Sequence, residues 1–200
     1  MAEIKPIVQT LCDVRDWFDE EVCSRVRFKK PSNTYMDDSY KYELVKPNAF
    51  AMVTPTSDMM SDGKTPAPSV TIRLRQDQAY QSKDDLQHGT RSLNLIALFE
   101  TWSPGLHGED WISKNGHVYV RASDKTFQQN AEGWKDAWDF VDTALIKIES
   151  ADYIGGLMVD QTKGIAFSAV GEDYPFWYAQ ITFTLTAPLV MSHNELSDFI

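Results

Sequence analysis

The chain is poor in the residues that most often announce a chemistry. Among its 200 residues are only two cysteines, Cys12 and Cys23, and four scattered histidines, His88, His107, His117 and His193. The thiols form no CxxC pair and have no histidine beside them. They read as reduced, partly buried groups, which excludes a disulfide frame and a cysteine-built zinc site. No apolar run approaches the roughly 20 residues that cross a bilayer, and the opening MAEIKPIVQTL lacks the basic-then-apolar layout of a secretory signal. A soluble protein made in the cytoplasm, without a membrane role, is the expectation. Basic charge is scarce as well: 19 Lys and Arg against 29 Asp and Glu leave a net charge of −10. Tight DNA or RNA binding needs clustered cations that release counterions. The one basic cluster, Arg25, Arg27, Lys29 and Lys30, follows Asp19-Glu20-Glu21 and reads as a solvated strand face. The nucleotide fingerprints GxGxxG and GxxxxGK[ST] and the GxSxG elbow are missing too.

What remains of catalytic vocabulary is thin. His107-Gly108-Glu109-Asp110 and His117 offer imidazoles and carboxylates, which are legitimate zinc or manganese ligands. They lie in a polar, glycine-containing stretch without ordered ligand spacing, so a solvated loop is expected, and no metal or cofactor. Asp84-Asp85 with His88 would serve acid–base chemistry only inside a pocket, and its setting reads as a polar turn.

Apolar residues are plentiful: 42% of the chain is hydrophobic and 12% aromatic. A single domain of this size buries roughly 70% of its unfolded surface and needs no staple. From Glu3 to Val22, Ile4, Ile7, Val8, Leu11, Val14 and Phe18 fall at helical spacing. A short strand over Arg25–Phe28 and extended chain over Tyr40–Val53, broken at Lys46-Pro47-Asn48, follow. Thr54–Pro68, with three prolines and a glycine, reads as a mobile or functional loop.

Later segments are sharper. Ser69–Gln76 alternates Val70, Ile72 and Leu74 with Thr71, Arg73 and Arg75, the pattern of a strand with one wet face. Arg91–Trp102 is apolar on both faces, which predicts a central strand. Leu106–Gly116 reads as irregular and Val118–Val120 as a brief strand. From Ala131 to Glu149, Trp134, Ala137, Trp138, Val141, Ala144, Leu145 and Ile148 form an unbroken helical stripe, with Asn130 as N-cap and Gly155-Gly156 beyond the C-terminus. A hairpin of Leu157–Val159 with Ile165–Phe167 is predicted next. In the last strand Trp177, Ala179, Ile181, Phe183 and Leu185 face inward, and Tyr178, Gln180, Thr182, Thr184 and Thr186 outward. The fold class is therefore α+β: one mainly antiparallel or mixed sheet flanked by two amphipathic helices, with long loops. One domain is expected over 1–200, its core at 69–186, with a weakly patterned tail over 187–200.

Six tryptophans raise the question of an aromatic platform. Trp134, Trp138 and Trp177 occupy predicted core positions, and Trp17 the edge of the first helix. Trp102 and Trp111 flank the 103–117 stretch and are surface candidates for an interface. Met59 and Met60 in the 54–68 loop, and Thr182 and Thr184 on the Thr-rich strand face, complete the candidate contact residues. No catalytic residue is nominated.

Four runs together resemble the tail-terminator, or tail-completion, proteins of long-tailed bacteriophages of Gram-positive bacteria. They are Pro68–Leu74, Leu93–Gly105 (LNLIALFETWSPG), Gly133–Asp142 (GWKDAWDFVD) and Pro175–Phe183 (PFWYAQITF). The resemblance spans about residues 68–186 and is weaker before them. It implies a non-enzymatic virion protein, made in the host bacterial cytoplasm. Such a protein forms a homo-oligomeric ring, a hexamer in the family, on the head-proximal end of the tail tube. There it stops tube polymerisation and meets the head-to-tail connector, while DNA passes through without specific binding. A tail-tube subunit or head–tail adaptor is the nearest alternative, and a metal-dependent hydrolase or small-ligand module using the 81–117 region a remote one. A ring needs two different contact patches per subunit. The Thr-rich face, the 54–68 loop and the tail are the expected ones.

Overall fold

The computed structural model describes residues 6–35, 41–56, 59–60, 66–76, 80–82, 90–104, 109–114, 117–122 and 133–188; of residues 41–42, 80–82, 90–91, 109–114, 117–122, 172 and 187–188 it describes the backbone alone. In chain order the elements are α1 (Ile7–Glu21), β1 (Phe28–Lys29), β2 (Lys41–Val45), β3 (Asn48–Ala51), β4 (Ser69–Leu74), β5 (Tyr80–Ser82), β6 (Thr90–Trp102), β7 (Glu109–Lys114), β8 (His117–Ala122), α2 (Trp134–Ser150), β9 (Tyr153–Ile154), β10 (Leu157–Val159), β11 (Ala166–Asp173) and β12 (Phe176–Pro188).

The architecture follows from the two longest strands. β6 and β12, 13 residues each, pair antiparallel along their whole length, from Phe176↔Trp102 to Pro188↔Thr90. Period-two alternation then stacks the inward residues of both strands on one face. Leu93, Leu95, Ala97 and Phe99 lie beside Ile181, Ala179, Phe183 and Leu185, all buried. At about 1.5–3 kcal/mol for each fully buried large apolar side chain, this double row is a major contribution to stability. β4 and β5 flank β6, and β3 joins β4 in parallel. β10 and β11 both pair with β12, and β9 extends β10. The result is one mixed sheet of eight strands.

Both helices cover its apolar face. α1 contributes Leu11, Val14 and Phe18, and α2 contributes Ala137, Phe140, Val141, Ala144 and Ile148. Phe18 meets Phe99 and Phe183 at 6.5 and 6.1 Å, and Phe99 meets Phe140 edge-on at 4.8 Å. Such offset aromatic pairs add about 0.5–1.5 kcal/mol each beyond area burial. The α+β architecture is therefore the one the patterning indicates, with both helices on the sheet.

Several local expectations are corrected. The strand expected at Arg25–Phe28 is a 3-10 turn over Cys23–Arg25 followed by β1. The Leu106–Gly116 stretch contains β7, which hairpins with β8 and closes at Lys114↔His117. β1, β2, β8 and β7 form a second, four-stranded sheet. The hairpin expected between Leu157–Val159 and Ile165–Phe167 does not form, because β10 and β11 bond in succession to the same edge of β12. Gly155 and Gly156, at φ 60° and 83°, turn the β9–β10 hairpin instead of ending α2. Two successive positive φ values are what a tight two-residue hairpin turn requires. The length of the 54–68 segment has a topological cause. β3 and β4 run parallel, so the chain must travel back the length of a strand between them.

Candidate interaction surfaces

The six contact residues nominated above do not converge on one site. Met59 is exposed, at 70% of its surface, and Met60 is half-buried. Trp102 is only 2% exposed and is corrected from surface to interior: Tyr35 meets its ring edge-on at 5.8 Å, and Phe176 packs beside it. Trp111 lies on β7, and its side chain is outside the described residues. Thr182 is half-buried, its hydroxyl 3.4 Å from the Ala166 carbonyl. Thr184 is corrected as well. It is buried, and its hydroxyl donates to Asn94 Oδ1 at 2.8 Å. Alternation identified the polar face of β12, but polarity did not mean exposure, since Asn94, Thr184 and Thr186 are all buried there.

Trp134 is the converse error. Expected in the core, it is 47% exposed, because α2 starts at that residue and its ring lines an open cleft instead of the packed interior. The buried stripe is centred on Phe140, with Trp138 and Leu145 at its rim. Trp134 and Trp138 thereby form one wall of an open cleft of about 350 Å³, with Ala169 and Gly171 of β11 and Trp177 and Tyr178 of β12 opposite. Trp138 meets Phe167 edge-on at 5.6 Å. The cleft floor is fixed by a knot of polar bonds: Trp177 Nε1 donates to the Ser103 carbonyl at 3.1 Å, Ser103 N donates to the Pro175 carbonyl at 2.9 Å, and the Tyr174 hydroxyl donates to the Pro104 carbonyl. Gly133 lies so close to the Trp177 indole that an added Cβ would sit 2.1 Å from Nε1.

Apolar surface is exposed at both ends of the eight-stranded sheet. At one end β3 pairs, among the described residues, with β4 alone, and the chain leaving it shows Met52, Val53 and Met59 to solvent. At the other end β11 pairs, among the described residues, with β12 alone, every described side chain of β11 is exposed, and Phe167 and Val170 stand out from it.

Burial raises the Glu100 carboxyl above its usual 4.5, while hydrogen bonds with Ser69 and Tyr178 pull it back. Burial, and then the Glu100 and Asp173 charges, lift the Tyr178 phenol to about 12. Burial also raises Asp139, helped by the charges of Asp136 and Asp142. The hydrogen bond from Lys147 holds Glu21 low. Of the basic cluster, Lys29 bridges Asp136 at 3.1 Å and Lys30 bridges Glu43 at 2.9 Å. These ion pairs tie β1 to α2 and the residue that follows β1 to β2. Among the described residues no three His, Cys, Asp or Glu side chains come together as metal ligands. Asp84, Asp85, His88, His107 and the side chains of Glu109 and His117 lie outside those residues.

No protein-family model and no curated protein matches the chain.

Proposed function

We propose that the protein is a virion assembly protein of the tail-terminator type. In this role it forms a ring on the head-proximal end of a phage tail tube, stops tube growth and receives the head connector. One observation carries the reading. The four runs that bear the resemblance are neighbours in space: they supply β4, β6, the start of β12 and the first half of α2. Trp177, Ser103 and Gly133, one from each of the last three runs, meet at the cleft floor. The resemblance thus falls on one packed unit and not on dispersed strands. A net charge of −10 suits a wall that duplex DNA passes without adhering, since phosphates are repelled and no counterions are released.

Purified protein added to polymerising tail-tube subunits of the same virion tests the proposal. Tubes that stop lengthening and carry extra density at one end in electron micrographs are expected. Tubes that grow unchecked and bare-ended in its presence would overturn it.

A further inference from the structure

We infer that the β11 edge of one copy docks on the β3 edge of a second copy. In this head-to-tail contact Phe167 and Val170 meet Met52, Val53 and Met59. The inference rests on the ring proposal for its purpose and on the two sheet edges for its geometry.

β11 is eight residues long and carries neither proline nor lysine, the residues that commonly blunt an open edge. Its one irregularity is the register shift between Ala169 and Gly171. Phe167 is 55% exposed and Val170 is 51% exposed. At the opposite edge, the last ladder bond runs from Met52 N to the Ile72 carbonyl at 2.7 Å; the positive φ of Met52, 66°, then takes the chain out of β3, and Met52 and Val53 are exposed, Val53 to 63%. Charge distinguishes the two edges. Exposed Asp173 ends β11, and among the described residues no cation pairs with it; Asp152 is exposed close to β9. Arg73, half-buried and with its Nε enclosed, lies just past the last β3 rung, Ala51↔Ile72, and among the described residues its guanidinium reaches Thr54 Oγ1 alone, at 3.5 Å.

Two different patches on opposite edges of one sheet cannot both be used in a single two-fold contact, where one patch meets itself. They do satisfy a repeating head-to-tail contact, which closes into a ring when the rotation permits. A foreign partner would need only one of the edges. A second copy uses both.

Sedimentation velocity on the full chain tests this with two variants. Phe167→Asp with Val170→Asp disables one edge, and Met52→Asp with Val53→Asp disables the other. Met52 sits at φ 66°, a region aspartate enters more readily than most residues. Wild-type protein is expected to assemble beyond a dimer, and each variant to be monomeric. Mixed in equal amounts, the variants should form one-to-one heterodimers and nothing larger, since each keeps one working edge. Three results would overturn the inference: wild-type protein monomeric at its highest soluble concentration, a variant assembling like wild type, or a mixture that stays monomeric. Should an aspartate pair unfold the chain, Phe167→Ala with Val170→Ser takes its place, and is expected to weaken association at least tenfold. Capping of tubes by a protein whose edge variants still assemble would remove this inference alone. Head-to-tail assembly by a protein that leaves tubes uncapped would remove only the tail proposal.

Discussion

At the residue scale, close approach decides which substitutions the fold tolerates. Gly133 has ordinary helical dihedrals, φ −63° and ψ −18°, so its need for glycine is one of space. Gly133→Ala is expected to cost about 1–3 kcal/mol in chemical denaturation, by pushing the Trp177 ring from its place between Ser103 and α2. Phe140→Ala should cost about 3–5 kcal/mol, because its ring is fully buried between Phe28 and Phe99. Trp134→Ala, on the same helix and of a larger residue, should change stability by less than about 1 kcal/mol. The pair of measurements checks which residue centres the helical stripe. Cys23 is buried, and burial followed by the Asp19 charge lifts its thiol to about 12. A thiol reagent should therefore leave it unmodified until the chain unfolds, and early modification in native buffer would contradict its placement.

Glu100 gives a pH dependence with a definite sign. Its native carboxyl holds its proton to a higher pH than the unfolded one, whose ordinary value is 4.5. Between these two values the native state binds more protons, so stability falls as pH rises through that window. The loss is complete above the raised native value and absent below 4.5. Glu100→Gln keeps an acceptor for the Tyr178 hydroxyl while removing the buried charge. Denaturation midpoints of this variant should fall less steeply with pH than those of wild type, and parallel curves would show that Glu100 does not titrate in this way.

At the element scale, the two-face alternation of β6 and β12 and the stripe of α2 were legible because each pattern persists for many residues. Misreadings cluster where pattern and cover part company. Trp134 fits the helical period but sits in the first turn, where its ring lines the open cleft, and Val8 fits the α1 period yet is 73% exposed. Thr184 fits the polar phase but is covered. β10 and β11 look like consecutive partners, yet sequence nearness does not reveal that a 13-residue β12 offers both of them an edge. Among the contact residues, chain position placed Met59 at the surface. No local signal marked Phe167 or Val170, because exposure on both faces of an edge strand leaves no distinctive period. Hydrogen exchange checks this layout. Amides in the β6–β12 ladder should exchange slowest of all, close to the global unfolding limit. In β11, the amides facing away from β12 should exchange orders of magnitude faster than those bonded to it, and should slow on assembly.

At the scale of the whole molecule, the α+β class could be derived because long amphipathic segments dominate it. The second sheet could not, since β1, β2, β7 and β8 are at most six residues each, too short for alternation to say which of them pair. They are held by pairing and by anchors such as Lys29 on Asp136 and Phe28 against Phe140, contacts between residues far apart in the chain.

The full-length pairing of β6 with β12 also constrains the order of events during synthesis. β6 emerges from the ribosome with both faces apolar, and the strand that completes the sheet beside it follows only after β7, β8, α2, β9, β10 and β11. Loop closure over so long an intervening segment is slow, and the core cannot condense before β12 arrives. Until then Leu93, Leu95 and Phe99 are exposed apolar surface, a liability for aggregation. A nascent chain arrested after β11 should therefore be protease-sensitive throughout, and one extended past Pro188 and clear of the exit tunnel resistant, so that the protein matures in a single late step.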